Sequence, residues 1–264
     1  MLDTPLLEVA KQLDRATAVV VDALVAAPDR GRWEAEVEAN VMIALNVRHA
    51  EAITALAREG YALYPAAMTL SRAGYESGIR ILWMLYPDEP FERERRWLSH
   101  LRKGEEHYER FARRLERLGG NPEQHQKYAE SLREFRLSVT EALPPSISPP
   151  GGLPDLAQML EQLGDPGKYL MYMLTSQYLH GSYVATELYR RNLGTNKETG
   201  EFFSARDWHA PMKLAWFSLE EPVARLLECL DGDSEAFRRK LPRRQMAIAF
   251  QRLEREPPSA SDDK

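Results

Sequence analysis

The stretch "MTLSRAGYESGIRILWML", from Met68 to Leu85, decides how this chain is expected to fold. On a helical wheel it is apolar or small on nearly every side, which is typical of a helix in the middle of a bundle. Three charged side chains interrupt it, and Arg72, Glu76 and Arg80 fall within a sector of about 80°. Because an unpaired buried charge is costly, these groups are expected to have partners or a bound anion.

Helix signals continue on both sides of this stretch, and strand signals are scarce. Caps, prolines at first-turn positions and apolar spacing predict eight helical segments. They cover about residues 4–27, 33–58, 65–86 and 91–118, then a fifth from Asn121, a sixth at 165–191, a seventh at 204–230 and a last from 233. We therefore predict an all-α fold, a single-domain bundle of about seven to eight helices over residues 1–255.

Three segments do not fit a helix. "LPPSISPPGGLP" (residues 143–154) has five prolines and two glycines, and it predicts a long loop over a site, with a domain linker as the alternative. "NLGTNKETGEFF" (residues 192–203) is turn-rich and predicts a small excursion or β-ribbon. "EPPSASDDK" (residues 256–264) predicts a disordered tail.

Composition excludes several classes of protein. The net charge of −5 disfavours a whole-surface nucleic-acid binder, although a local basic patch stays open. The single cysteine, Cys229, suits a reducing compartment, and neither a secretory signal nor a membrane-length apolar run is found, so we expect a cytoplasmic protein without membrane contact. With no Cys/His cluster, E-x-x-H pair or glycine-rich phosphate loop, no metal and no cofactor are predicted.

A second apolar segment carries a matching polar stripe. In "KYLMYMLTSQYLHGSYVATELYRR", from Lys168 to Arg191, the readily titrating side chain is His180, and Ser176 lies one turn before it. If both helices are interior, their stripes can line one cavity. The sequence then predicts an internal anion-binding site with a catalytic pair, His180 and Glu76, and substrate-binding groups Arg72, Arg80 and Ser176.

These two segments also carry a family resemblance. "YPAAMTLSRAGYESGIRILWML" is similar to the R-S-x-x-E helix of an uncharacterised family of bacterial all-helical proteins, and "LTSQYLHGSYV" resembles that family's S-x-x-x-H helix. The resemblance covers about residues 39–189. The family is reminiscent of HEPN-type helical domains, many of which are metal-independent ribonucleases or nucleotide-binding partners in toxin–antitoxin and phage-defence systems. It implies roles for Arg72, Glu76 and His180.

The HEPN ribonuclease signature itself is an arginine followed, after four to six residues, by a histidine. Arg95 with His100 and Arg102 with His107 match this spacing, but an arginine-rich chain is expected to produce about two such matches by chance. His180 has no arginine at these spacings. The resemblance therefore does not extend to the catalytic signature.

Two hypotheses of function follow. In the first, the protein acts on RNA or a nucleotide: Arg72 and Arg80 hold phosphate, His180 transfers a proton and Glu76 orients an arginine. In the second, it is a non-catalytic interaction module with a structural Arg–Glu–Arg network. The second hypothesis predicts an exposed apolar patch and either a homodimer or a complex with a partner protein.

Overall fold

The computed structural model describes residues 4–27, 31–191 and 198–256, and its architecture is all-α, as the apolar spacing predicts. Its α-helices are α1 (Thr4–Ala26), α2 (Glu34–Glu59), α3 (Tyr64–Leu85), α4 (Pro90–Arg117), α5 (Glu123–Ala142), α6 (Leu156–Gln162), α7 (Tyr169–Leu179), α8 (Tyr183–Thr186), α9 (His209–Cys229), α10 (Ser234–Lys240) and α11 (Arg243–Glu254). The described part of the chain thus has eleven α-helices, so the predicted number of seven to eight was too low.

The first extra helix, α6, follows the proline-rich loop. Asp155 begins it with a capping box, in which the Gln158 backbone N–H donates to Asp155 Oδ1 and the Asp155 backbone N–H donates to Gln158 Oε1. No helix covers residues 143–155, which include the segment 143–154 for which the sequence predicts a loop. The proline-rich loop and the capping box of α6 are therefore adjacent in the chain, and both depend on short-range sequence signals.

The second extra helix arises because the predicted helix 165–191 breaks. α7 ends at Leu179, and Gly181 adopts the left-handed φ of 56° that favours glycine. The Ser182 backbone N–H donates to the Gln177 carbonyl at 3.1 Å and closes the end of the helix. After α8, strands β1 (Arg190–Arg191) and β2 (Glu198–Thr199) form an antiparallel ribbon, next to and within the predicted excursion 192–203. Residues 192–197, and 257–264 of the predicted tail, lie outside the described residues.

The third extra helix arises at Pro242, which divides the last predicted helix into α10 and α11. Leu241 is extended, with φ −63° and ψ 141°, because proline sterically disfavours the helical conformation in the residue before it. The division leaves Phe237 of α10 and Met246 of α11 buried in the same core. The chain therefore turns here without leaving the bundle.

The helix α3 lies at the centre of the bundle, as predicted, and packs against α2, α9, α7 and α6. Its fully buried side chains include Met68, Ile79 and Met84. Toward α9 it presents Gly74 and Gly78, and a Cβ atom at Gly78 would lie 3.4 Å from the Ser218 Cα atom. Glycine here allows the two helix backbones to approach closely.

The long helix α4 and its neighbour α5 form an arm. α5 packs chiefly against α4, and Ala129 is its one fully buried residue. Glu105 of α4 accepts hydrogen bonds from Arg133 at 2.8 Å and from Arg136 at 2.9 Å, which joins the two helices. These arginines hold the pKa of Glu105 below its usual value, against the opposing effect of burial.

No helix within the described ranges combines the length and the apolar character that crossing a membrane requires.

Glu94 of α4 makes the stability of the fold depend on pH. It is buried at the N-terminus of α2, where its Oε1 accepts a hydrogen bond from the Ala35 N–H at 2.8 Å. Burial raises the pKa of Glu94 from 4.5 to about 7, although the bond from Ala35 opposes the rise. Between those two pH values the folded state binds more protons than the unfolded state, so stability falls as pH rises.

We therefore expect Glu94→Gln to flatten the dependence of stability on pH between 4.5 and 7 and to be more stable than the wild type above pH 7, by about 3 kcal/mol. The uncharged amide keeps an acceptor for the Ala35 N–H. Urea unfolding of both proteins at several pH values measures the difference. Parallel pH profiles for the two proteins would contradict the assignment.

Candidate functional site

The predicted residue Arg72 is buried, with 7% of its surface exposed. Its Nη2 donates to the Tyr172 hydroxyl at 3.0 Å, and its Cζ lies 4.7 Å from the centre of the Tyr172 ring. Its Nε and Nη1 are buried without a hydrogen-bond partner among the described residues. Arg72 therefore joins α3 to α7 through an aromatic ring rather than through a carboxylate.

The predicted residues Glu76 and Arg80 form an ion pair, with Arg80 Nη2 3.0 Å from Glu76 Oε1. A glutamate four residues before a basic residue is the better of the two orders for such a pair on a helix. This order accounts for the pairing of Glu76 with Arg80 and not with Arg72. Glu76 therefore pairs with Arg80 within α3, while the polar contact of Arg72 is with Tyr172 and not with Glu76.

The other predicted residues, Ser176 and His180, lie at the C-terminal end of α7. α3 and α7 run antiparallel, since the Tyr64 hydroxyl lies 3.4 Å from the Tyr178 hydroxyl while Arg72 contacts Tyr172. His180 follows Tyr178 and so lies near the N-terminal end of α3. Eight residues of helix separate that end from Arg72, which corresponds to about 12 Å along the axis.

His180 is exposed at the end of α7, and Ser176 is half-buried one turn before it. α7 is also less interior than expected, because Thr175 is its one fully buried residue. The structure therefore does not bring His180 and Arg72 into one cavity. The expected shared hollow is wrong, and the roles predicted for His180 and Ser176 stay predictions without geometric support.

The Arg80 side chain lies at a site that does not include Arg72 or His180. It lines a cleft of about 440 Å³ between α2, α3, α4 and the end of the proline-rich loop. The residues that line this Arg80 cleft are Glu38, Arg80, Trp97, His100, Leu101, Lys103, Gly104, Leu153 and Pro154. Leu153 and Pro154, at the end of the loop 143–154, thus lie at the cleft.

Two basic side chains, Arg80 and Lys103, line the Arg80 cleft together with one carboxylate, Glu38. Each basic group also has an acidic neighbour, because Glu76 lies 3.0 Å from Arg80 and Glu106 lies 3.7 Å from Lys103. Arg80 Nη2 donates a hydrogen bond to Glu76 Oε1, which fixes the position of the guanidinium at the cleft.

His100 contributes the imidazole of the cleft. Its Nε2 lies 3.5 Å from Glu38 Oε1, so a carboxylate on α2 faces an imidazole on α4. An imidazole beside a carboxylate can serve as a general acid or base near neutral pH. For a reaction in this cleft, His100 is the residue placed to transfer a proton.

One wall of the Arg80 cleft is apolar. Trp97 is buried and packs edge-on against Phe135 at 5.9 Å, while Leu101 and Leu153 are half-buried against the core. A cleft with a cationic side and an apolar wall fits a ligand that has both an anionic group and a flat apolar part.

A larger cleft of about 710 Å³ lies at the turn between α3 and α4. Its guanidinium groups hold the backbone: Arg225 Nε donates to the Leu85 carbonyl at 2.8 Å, and Arg93 Nη1 donates to the Asp88 carbonyl at 3.0 Å. Cys229 also lines it, and burial raises the pKa of its thiol. Because these arginines already bind protein oxygens, we assign this cleft to fold stability.

The residues of the Arg80 cleft had a signal in the sequence that our prediction missed. Trp97, His100, Leu101 and Gly104 have the spacing i, i+3, i+4, i+7 and so share one face of α4. The residues Arg95 and His100, whose spacing matches the HEPN signature, do not both line the cleft, because His100 lines it and Arg95 does not. Arg95 pairs with Glu92 at 2.7 Å and does not line the cleft.

Within residues 4–27, 31–191 and 198–256, no three His, Cys, Asp or Glu side chains are placed to hold a metal ion. The fold and the cleft together define the class: an all-α protein with a cleft lined by Arg80, Lys103 and His100 at the side of its central helix. Comparison with protein-family models, with curated proteins and with solved structures finds no match for this chain.

Proposed function

We propose that the Arg80 cleft binds a nucleotide, either free or at the end of an RNA, with a phosphate on Arg80 and Lys103. One observation carries this proposal: Glu76 holds the Arg80 guanidinium in position at a cleft that a second cation and an imidazole also line. Guanidinium forks match phosphate geometry, and the apolar wall beside Trp97 suits a base.

The proposal places this binding in the cytoplasm, where Cys229 stays reduced. A HEPN-like reaction and a toxin or phage-defence role stay predictions that rest on the sequence resemblance. If the bound ligand is also cleaved, His100 is the proposed proton donor because it lies in the cleft and His180 does not.

We expect Arg80→Ala to weaken nucleotide binding by about tenfold to a hundredfold, since it removes a charge-assisted hydrogen bond. Isothermal titration calorimetry with AMP, with adenosine and with inorganic phosphate measures the change. Inorganic phosphate reports on the cationic side of the cleft, and adenosine reports on the apolar wall.

The matched control is Arg95→Ala. Arg95 is also a half-buried arginine in a helical ion pair, but it lies outside the Arg80 cleft, so its removal should leave binding unchanged. Both variants should keep the wild-type stability to within about 1 kcal/mol because each removes one partially exposed ion pair. Equal affinities for wild type and Arg80→Ala, or no binding of any of the three ligands, would rule the proposal out.

A specific observation also favours the alternative function, an interaction module. The outer side of α7 exposes several large apolar side chains, among them Leu170 and Met173. Such a face is typical of a protein–protein interface.

A further inference from the structure

The helix α4 carries its basic and its acidic side chains on different sides. On a helical wheel of the described residues from His100 to Arg117, one sector of about 120° holds no carboxylate of α4. We call this sector the α4 stripe, and its members are His100, Lys103, His107, Arg110, Phe111, Arg114 and Arg117. Outside it lie the four glutamates of the same length, Glu105, Glu106, Glu109 and Glu116. The stripe thus combines four permanent cations with two imidazoles and one aromatic ring.

The arginines of the α4 stripe are open to solvent. Arg110, Arg114 and Arg117 are exposed, and the side chains of Arg110 and Arg114 make no hydrogen bond or ion pair with another described residue. The helix α5 leaves them uncovered because it packs on the opposite side of α4, where Glu105 accepts a hydrogen bond from Arg133 at 2.8 Å. The positive charge on this side of the arm therefore stays available to a partner.

The α4 stripe begins inside the Arg80 cleft, since His100 and Lys103 both line that cleft. From His100 to Arg117 it follows the helix for about 26 Å. With one phosphate per about 3.4 Å of strand, this is the length of about seven or eight nucleotides. A free mononucleotide in the cleft would leave most of the stripe uncovered, so the stripe indicates a ligand with a row of phosphates.

The ring of Phe111 favours a single strand over a duplex. Phe111 is 46% exposed and stacks on the His107 ring, with 6.4 Å between the ring centres and 27° between the planes. Exposed aromatic rings beside cations are typical of surfaces that bind single strands, because an unpaired base can stack on them. A duplex offers side chains the edges of its bases and not their faces.

We propose that the α4 stripe binds a single-stranded nucleic acid, with the backbone phosphates along its arginines and the terminal nucleotide in the Arg80 cleft. The position of the terminal nucleotide rests on the function proposed above, whereas the contact with the stripe rests on the charge and the exposure of α4 itself. The net charge of −5 belongs to the whole chain, and a local basic surface still attracts a polyanion.

Fluorescence anisotropy with labelled oligoadenylates of about ten nucleotides, one of RNA and one of DNA, tests the contact with the stripe. We expect at least one of them to bind, with a slope of about −3 for the logarithm of affinity against the logarithm of salt concentration, because four cations neutralise phosphates of a single strand. Arg110→Ala combined with Arg114→Ala should weaken binding by at least about tenfold at about 50 mM salt and should halve the slope.

The matched control is Arg102→Ala combined with Arg113→Ala. These arginines are also exposed on α4 and their loss changes the net charge equally, but they lie outside the stripe and pair with Glu106 and Glu109. The control should change the affinity by less than about threefold. All four positions are exposed and alanine favours a helix, so both variants should fold, which far-UV circular dichroism checks.

Several results would overturn the proposal: no binding of either oligonucleotide, an equal loss in the stripe variant and the control, or a duplex that binds more tightly than its separate strands. Displacement of the strand by an equal concentration of polyglutamate would also overturn it, and would assign the stripe to an acidic protein.

Calorimetry with AMP separates the stripe from the Arg80 cleft. If the cleft binds a nucleotide, the stripe variant should bind AMP as tightly as the wild type does, because Arg110 and Arg114 do not line the cleft. A wild type that binds the oligonucleotide through the stripe but does not bind AMP would support the stripe and contradict the function proposed for the cleft. A wild type that binds AMP but neither oligonucleotide would contradict the stripe alone.

Discussion

Replacing Arg93 with alanine is expected to lower the free energy of unfolding by about 3–5 kcal/mol. Arg93 and Glu36 are 5% and 3% exposed, and Arg93 Nη2 lies 3.0 Å from Glu36 Oε1. The substitution leaves the Glu36 carboxylate buried without its cation, and it also removes the hydrogen bonds from Arg93 to the carbonyls of Pro87 and Asp88. Denaturant unfolding followed by circular dichroism measures the loss.

Two further variants distinguish the effect of the buried, unpaired carboxylate on stability from the effect of lost side-chain packing. Arg95→Ala removes a more exposed ion pair on the same helix and should change stability by less than about 1 kcal/mol. Arg93→Met combined with Glu36→Leu removes both charges and should recover a large part of the loss, because no uncompensated carboxylate remains. If Arg93→Ala were no less stable than Arg95→Ala, the buried pair would not hold the α3–α4 turn.

The second large effect is expected at Gly78, where α3 and α9 meet. A Cβ atom there would lie 3.4 Å from the Ser218 Cα atom, 3.5 Å from Pro222 Cγ and 3.6 Å from Phe217 Cε1. These are ordinary contacts for one carbon atom, so Gly78→Ala should stay within about 1 kcal/mol of the wild type. Gly78→Leu adds three further carbons against a backbone and should lower stability by about 3 kcal/mol.

The control for Gly78→Leu is Gly152→Leu. A Cβ atom at Gly152 meets no other atom within 4 Å, and its backbone does not have the left-handed conformation. This change should alter stability by less than about 0.5 kcal/mol. Thermal unfolding of the three variants measures the series, and a stable Gly78→Leu protein would contradict the close approach of α3 to α9.

Part of the site was predictable because it depends on neighbours within one helix. The Glu76–Arg80 pair needs four residues of one helix, and the loop near Leu153 needs its own prolines and glycines. The cleft itself was not predicted, because Glu38 and His100 meet across two helices. Sequence spacing shows which residues share a helix face, but it does not show which face of another helix lies opposite.

The prediction for His180 failed for the same reason, since sequence spacing does not show which side of a helix is covered. The sequence placed it on an apolar segment, and the apolar spacing was correct, yet that segment has two apolar sides and α3 covers one of them. Which side is covered depends on the antiparallel packing of α7 along α3. The break at Gly181 then leaves His180 exposed at the end of the helix.

The sequence by itself determined the all-α class, the central position of α3 and the interruptions around residues 143–154, because periodicity, caps and prolines act over a few residues. Only the tertiary structure decided that Arg72 contacts Tyr172, that Arg80 opens to a cleft and that Arg93 meets Glu36. The physical reason is the range of the interactions. Backbone preferences are local, whereas a buried charge takes its partner from whichever helix the packing brings within reach.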